Sequence, residues 1–354
     1  MLNSVRSKDG RSPLRASFLV SKYGRMGEFM DIVLTGSVAY DYLMTFPGYF
    51  RDHILTEKLD TISLSFLVDK MVFRRGGTAP NIAYTMALLG ERPRIMATVG
   101  EDFSEYRSWL EDKGIDTSSV EVIPGLQTAS FFANTDRANA QIASFYPGAM
   151  ACADRLSFKD ESYSRPGLAV ISPNDPGAMS KYVDECIELK IPYFYDPSQQ
   201  IVRMDAKDIR HGIEGAKALF VNDYEFSLIE KHLEMSRDDV MGWVEILVIT
   251  CGEKGADIFT RQGKYYIPIV PVKDIVDPTG VGDAFRGGFL VGYARGWDLQ
   301  LCGQVGTLAA AYCLEADGPQ AHKYSITKFL SRFRQYFNDH GKLDELTKDF
   351  PGSL

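Results

Sequence analysis

A doubly wound α/β fold, built on a mostly parallel sheet with a small β-sheet standing off it, is what this sequence predicts. Three observations lead there. Short apolar runs without alternation recur along the chain, among them Leu168-Ala169-Val170-Ile171 and Ile246-Leu247-Val248-Ile249, with helix-like segments between them. That is the pattern of parallel strands covered on both faces. Stretches of period-two alternation interrupt this rhythm, as half-exposed strands do. Polar clusters follow the apolar runs, at the carboxyl ends where open α/β sheets bind ligands.

Bulk properties narrow the function. At 354 residues, 45% hydrophobic and 24% charged, the chain fits one large globular domain with room for a small appendage. A formal net charge of −8 argues against a nucleic-acid partner. No apolar run approaches the roughly 18 residues that a membrane helix needs. The five cysteines are scattered without C-x-x-C spacing, so a reducing cytoplasm is expected and a zinc site is not.

Taken in order, residues 1–29 are rich in Ser, Arg, Lys and Gly and are expected to be a disordered or dispensable extension. The folded domain is expected over 30–354. Ile32-Val33-Leu34 reads as a buried strand ending in Thr35-Gly36-Ser37, with Asp41 four residues later. The alternating stretch 61–68 reads as a half-exposed strand of the small sheet. Gly76-Gly77 lets backbone approach something closely, and Pro80 suits the first turn of a helix carrying Asn81, Ile82, Met86 and Leu89 before Gly90 stops it. Strand and helix then alternate through 96–99 and 106–113. Two more exposed strands, around Phe131 and Phe145, would complete the small sheet, which spans about 40–73 and 125–150. Polar clusters at Asp196-Pro197-Ser198-Gln199-Gln200, Asn222-Asp223-Tyr224-Glu225 and Thr250-Cys251-Gly252 each end a strand.

The most informative stretch is Asp277-Pro278-Thr279-Gly280-Val281-Gly282-Asp283, between a β-rich run and a helix former. Two glycines around one small residue let backbone N–H groups converge on an anion at a helix N-terminus. A carboxylate beside such a hole, Asp283, suits the acceptance of a proton from a hydroxyl that attacks a phosphoryl group. No Lys follows the glycines, which excludes a P-loop. Phe285 stands where the dinucleotide fingerprint needs a third glycine.

This loop resembles the signature of the ribokinase (PfkB) family of sugar and nucleoside kinases, with Val281 for the usual Ala. Gly76-Gly77 and Asn81 match the family's amino-terminal signature. The likeness covers 31 to about 315 and is strongest to bacterial adenosine kinases, through Phe145-Tyr146-Pro147-Gly148-Ala149-Met150 and Asp196-Pro197-Ser198-Gln199-Gln200. It implies an ATP-dependent kinase of adenosine giving AMP, a purine-salvage reaction, with Mg²⁺. Another nucleoside, or a sugar such as ribose, is the alternative acceptor. A non-catalytic nucleoside sensor on the same fold is the alternative of another class.

The resemblance also implies roles. Asp41, Gly77 and Asn81 would hold the ribose. Ser37, Ser65, Phe131, Phe145, Gln199, Gln200 and Arg203 would line the purine pocket. Gly280, Val281 and Gly282 would form the anion hole and Asp283 the base, ionised and weak because it sits at a helix N-terminus. Asn222, Thr250, Gly252 and Gly255 would bind ATP, with Asn222 and Glu225 reaching magnesium through water. The small sheet would be a lid, and lids would pair into a homodimer.

Overall fold

The computed structural model describes residues 30–54, 60–61, 63–162 and 164–349; the expectation for 1–29 lies outside them. The described residues contain thirteen strands: β1 (Ile32–Thr35), β2 (Ala39–Thr45), β3 (Lys70–Gly76), β4 (Arg94–Val99), β5 (Asp116–Val122), β6 (Ala129–Thr135), β7 (Gln141–Tyr146), β8 (Leu168–Ile171), β9 (Tyr193–Tyr195), β10 (Ala218–Asn222), β11 (Ile246–Thr250), β12 (Ala256–Thr260) and β13 (Gly263–Ile267). The α-helices are α1 (Thr78–Leu88), α2 (Ser104–Asp112), α3 (Pro176–Leu189), α4 (Ala206–Glu214), α5 (Asp223–Leu233), α6 (Arg237–Trp243), α7 (Val281–Ala294), α8 (Leu299–Leu314) and α9 (Ile326–Tyr336).

Nine strands form the large sheet in the order β13-β12-β11-β10-β9-β8-β1-β4-β5. Every pairing from β11 to β5 is parallel; β12 and β13 add an antiparallel edge. The apolar runs read as doubly covered strands are so. In β1, Ile32 and Leu34 pack into a core with α1, α7, α8 and α9, while Val33 packs into a second core with α3, α4 and α5. That alternation follows from the two-residue period of a strand between two helical layers. Among the described residues, no helix is long and apolar enough to cross a membrane.

Four strands form a separate sheet, β3-β2-β6-β7, with β2 parallel to β6 and antiparallel to β3. The alternation at 61–68 was expected to form a strand of this sheet. The structure places that strand at Lys70–Gly76, and 63–68 has no regular backbone pairing. The alternation there reflects anchoring through one ring, since Phe66 packs 5.0 Å from Phe46 and 4.9 Å from Phe50. The β-rich run expected before Asp277 overlaps β13 at Tyr265–Ile267, whereas β12 was not foreseen.

Candidate active site

The carboxyl ends of β1, β8, β9, β10 and β11 share one edge of the large sheet, and the small sheet stands over it. Gly280 precedes α7 with φ 76°, in the left-handed region where a side chain is strained. No side chain caps the helix; Val281 N donates to the Pro278 carbonyl at 3.4 Å, which leaves the N–H groups of Gly282 and Asp283 as an anion site.

Asp283 sits in that first turn with 13% of its side chain exposed. Its Oδ2 accepts a hydrogen bond from Asn81 Nδ2 at 2.8 Å, and Arg286 Nη1 lies 3.9 Å from Oδ1. Burial pushes the carboxyl up to about 6; Arg286 and Asn81 pull it down, while Asp196 and Glu225 add to the rise. The expectation of a weak base is therefore corrected. Desolvation outweighs the helix terminus, leaving a group ionised at neutral pH yet more basic than an ordinary aspartate.

Asn81 is buried in the first turn of α1. Its Oδ1 accepts from Gln320 Nε2 at 2.8 Å, and the same nitrogen donates to Tyr106 Oη at 2.6 Å. Tyr106 Oη in turn donates to the Gly76 carbonyl at 3.0 Å. Asn81 thus spends its acceptor on Gln320 and one of its donors on Asp283. Gly77 has φ 96°, and a methyl there would lie 2.4 Å from the Ser37 carbonyl oxygen. Only glycine fits.

Asp41, on β2, is pushed up to about 6 chiefly by burial, with Arg74 opposing and Asp277 adding to it. Arg74, on β3, pairs with both Asp277 and Asp317 across the gap between the sheets. For Asp277, burial is outweighed by hydrogen bonds from Thr279 and Arg74, which hold it below the usual range.

These groups surround a cavity of about 500 Å³. Of the predicted residues, Ser37, Asp41, Gly77, Asn81, Phe131, Phe145, Gln199, Gln200, Arg203, Gly280 and Asp283 line it, joined by Thr78, Ser198 and Thr279. Phe131 and Phe145 are register partners on β6 and β7. Gln200 donates to the Asn174 carbonyl at 2.7 Å, while its buried Oε1 has no partner.

Ser65 is the exception. It is exposed in the 63–68 segment and does not line the cavity. Val281 and Gly282 stand at its margin in the first turn of α7. Farther along the same sheet edge, Asn222 and Thr250 are register partners on β10 and β11, and Gly252 and Gly255 turn the chain into β12. Asn222 and Glu225 cap α5 reciprocally: Oδ1 accepts from Glu225 N at 2.7 Å, and Glu225 Oε2 accepts from Asn222 N at 2.8 Å. Among the described residues, no group of three or more His, Cys, Asp or Glu is placed to hold a metal. The sequence reading gave no role to Arg286, Arg74 or Gln320. Arg286 had a signal, since it falls three residues after Asp283 on one helical face; Gln320 had none.

The sequence profile of the pfkB family of carbohydrate kinases matches residues 38–325. The nucleoside kinase of Burkholderia thailandensis, solved in complex with inosine, superposes with a TM-score of 0.77 at 36% identity, covering 86% of this chain and 98% of that one. It is also solved in complex with ADP-inosine. The nucleoside kinase of Methanocaldococcus jannaschii is 29% identical over 315 residues, covering 88% of this chain and 99% of the relative; its crystal structure gives a TM-score of 0.78. A cytidine kinase of Thermococcus kodakarensis is 28% identical over 301 residues, covering 82% of this chain and 98% of its own.

Proposed function

The chain belongs to the pfkB family of carbohydrate kinases, and from that premise we propose that it transfers the γ-phosphoryl of ATP to the 5′-hydroxyl of a nucleoside, adenosine in the first place. One observation carries the reading. A single cavity joins a mostly buried aspartate at an open helix N-terminus to two phenylalanine rings and the side chain of Gln200. A phosphoryl acceptor without a base needs the first of these and has no use for the others. A π-face suits a flat heterocycle, and Gln200 Oε1 suits the exocyclic amine of adenine.

In this reading Asp41 and the remaining N–H of Asn81 hold the ribose, and the close backbone at Gly77 borders it. Asp283 takes the proton of the 5′-hydroxyl. That oxygen bonds to the γ-phosphorus while the bond to the β–γ bridging oxygen breaks, and its electron pair leaves on ADP. Phosphoryl transfer demands little basicity and much alignment, which the hydrogen bond from Asn81 to Asp283 provides. The N–H groups at the start of α7, around Gly280, Val281 and Gly282, receive the phosphoryl oxygens.

ATP would lie along the edge marked by Asn222, Thr250, Gly252 and Gly255. The donor set fits a magnesium ion carried on the phosphates rather than caged by protein, because Asn222 and Glu225 already cap each other. Glu225 would hold it through water, and the ion would neutralise phosphate charge.

The outer face of the small sheet exposes Met71, Phe73, Phe132 and Ile142, which supports pairing with a second copy; sedimentation of the purified chain tests it. Five free cysteines suit a reducing cytoplasm. The decisive experiment is ATP turnover against adenosine, inosine, guanosine, cytidine, ribose and fructose. Acceptor-dependent turnover led by adenosine is expected. Ribose or fructose exceeding every nucleoside would sink the proposal, and the absence of turnover with every acceptor would favour a non-catalytic sensor.

A further inference from the structure

Arg286 lies one turn into α7 with 13% of its side chain exposed, paired with Asp196. Its Nε lies 2.5 Å from Asp196 Oδ2, and its Nη2 donates to Asp196 Oδ1 at 2.8 Å and to Ser198 Oγ at 3.1 Å. Ser198 adopts φ 37°, in the strained left-handed region, and its hydroxyl donates to Asp196 Oδ1 at 2.6 Å. Strain of that kind persists where surrounding structure demands a special orientation. Here the demand is the fixed orientation of the guanidinium.

Neutralising Asp196 needs only Nε and Nη2. The third nitrogen is aimed elsewhere, 3.9 Å from Asp283 Oδ1. A methyl group at Gly282 would sit 2.8 Å from Nη1, so the glycine leaves open the side of the anion hole that the guanidinium occupies. The charges give the same direction. Asp196, Asp283 and Glu225 bear on one another here, and an incoming phosphoryl group is itself an anion. Two helix N–H groups alone would face three carboxylates.

We propose that Arg286 is a catalytic cation of the phosphoryl transfer: Nη1, the one nitrogen not engaged with Asp196 or Ser198, meets the transferring phosphoryl group beside Gly282. This rests on the kinase reading above, with whatever acceptor the site takes. The guanidinium stays charged throughout and moves no proton. It offsets charge on the phosphoryl oxygens as the bond to the attacking oxygen forms and the bond to ADP breaks.

The test compares the full-length parent with Arg286→Lys and Arg286→Ala. Lysine keeps a positive charge for Asp196 yet cannot reach both Asp196 and the Gly282 side. The expected Lys variant folds, binds adenosine by calorimetry within about twofold of the parent, and loses about 10²- to 10³-fold in kcat, the cost of one oriented transition-state donor. Added guanidinium ion should restore part of the kcat of Arg286→Ala without changing its adenosine affinity. A folded Lys variant with kcat within about threefold of the parent overturns the proposal. So does a loss of adenosine affinity that matches the loss of kcat, which marks a structural role. If Arg286→Ala does not fold, the Lys variant decides. A parent that phosphorylates ribose and no nucleoside refutes the nucleoside reading alone; the same comparison with ribose then tests Arg286.

Discussion

Asp283→Asn should cut turnover sharply and stabilise the fold, and both effects follow from one carboxyl group. Moved from the 3.8 of an ordinary aspartate to about 6, it makes the ionised form about 3 kcal/mol costlier in the folded than in the unfolded chain. That figure is a ceiling, because part of the side chain reaches the cavity. Asparagine removes the charge and can still accept from Asn81. Loss of the neighbour at 3.9 Å from Arg286 takes some of the gain back. A net gain of about 1–3 kcal/mol remains, or a rise in Tm of about 2–8 °C.

The sign with pH is fixed by the direction of the shift. The folded-state pKa lies above the unfolded one, so this group's contribution to stability is full below about pH 4 and lost as pH rises through about 6. The variant's advantage is therefore widest above neutrality and closes between about pH 6 and pH 4. Thermal melts of parent and variant across pH 4 to 8, beside kcat measured at pH 8, make the assay. Turnover should fall at least about 100-fold. A variant less stable than the parent at pH 8, or a difference that does not change with pH, would refute the reasoning.

Three other outcomes are expected. The parent's kcat/KM should fall below about pH 6 with a slope between one and two, because Asp283 and Asp41 both lie near that value; a flat profile down to pH 5 would remove Asp283 from the base role. Phe145→Ala should raise the KM for adenosine by roughly 5- to 150-fold, the worth of one stacked ring, and leave any activity with ribose unchanged. An equal effect on both acceptors would detach the ring from the base. Gly77→Ala should weaken nucleoside binding at least about tenfold, since strain of about 1–3 kcal/mol adds to a clash with the Ser37 carbonyl. Calorimetry reading an unchanged affinity would show that the backbone there does not border the ligand.

Legibility in the sequence followed the range of the interaction. Gly280, Gly77 and Asn81 announced themselves because a positive φ and a helix start are local demands met by particular residues. The buried strands were legible because burial on both faces leaves an unbroken apolar run. The strand expected at 61–68 was misplaced because alternation around Phe66 arises from ring packing, which no backbone period encodes; the role given to Ser65 rested on the resemblance alone. The Arg286–Asp196 pair spans 90 residues and depends on β9 ending beneath α7, a neighbourhood that pattern reading does not supply. The engagement of Asn81 with Gln320 is of the same kind: its amide type is visible in the chain, its partner is not.

The contacts of Asn81 with Asp283 and Gln320 join residues 202 and 239 positions apart, which bears on how the chain is born. Contacts of such separation form late, after loop closure has been met elsewhere. On the ribosome, β1 through β11 can emerge and pair before Asp283 has been synthesised, and Asn81 then lacks both partners. A nascent or prematurely released chain therefore has a nucleoside-side wall but no phosphotransfer centre. Under the proposed function such a fragment, lacking Asp283 and the start of α7, should not consume ATP, so an aborted translation product would be inert rather than a wasteful hydrolase.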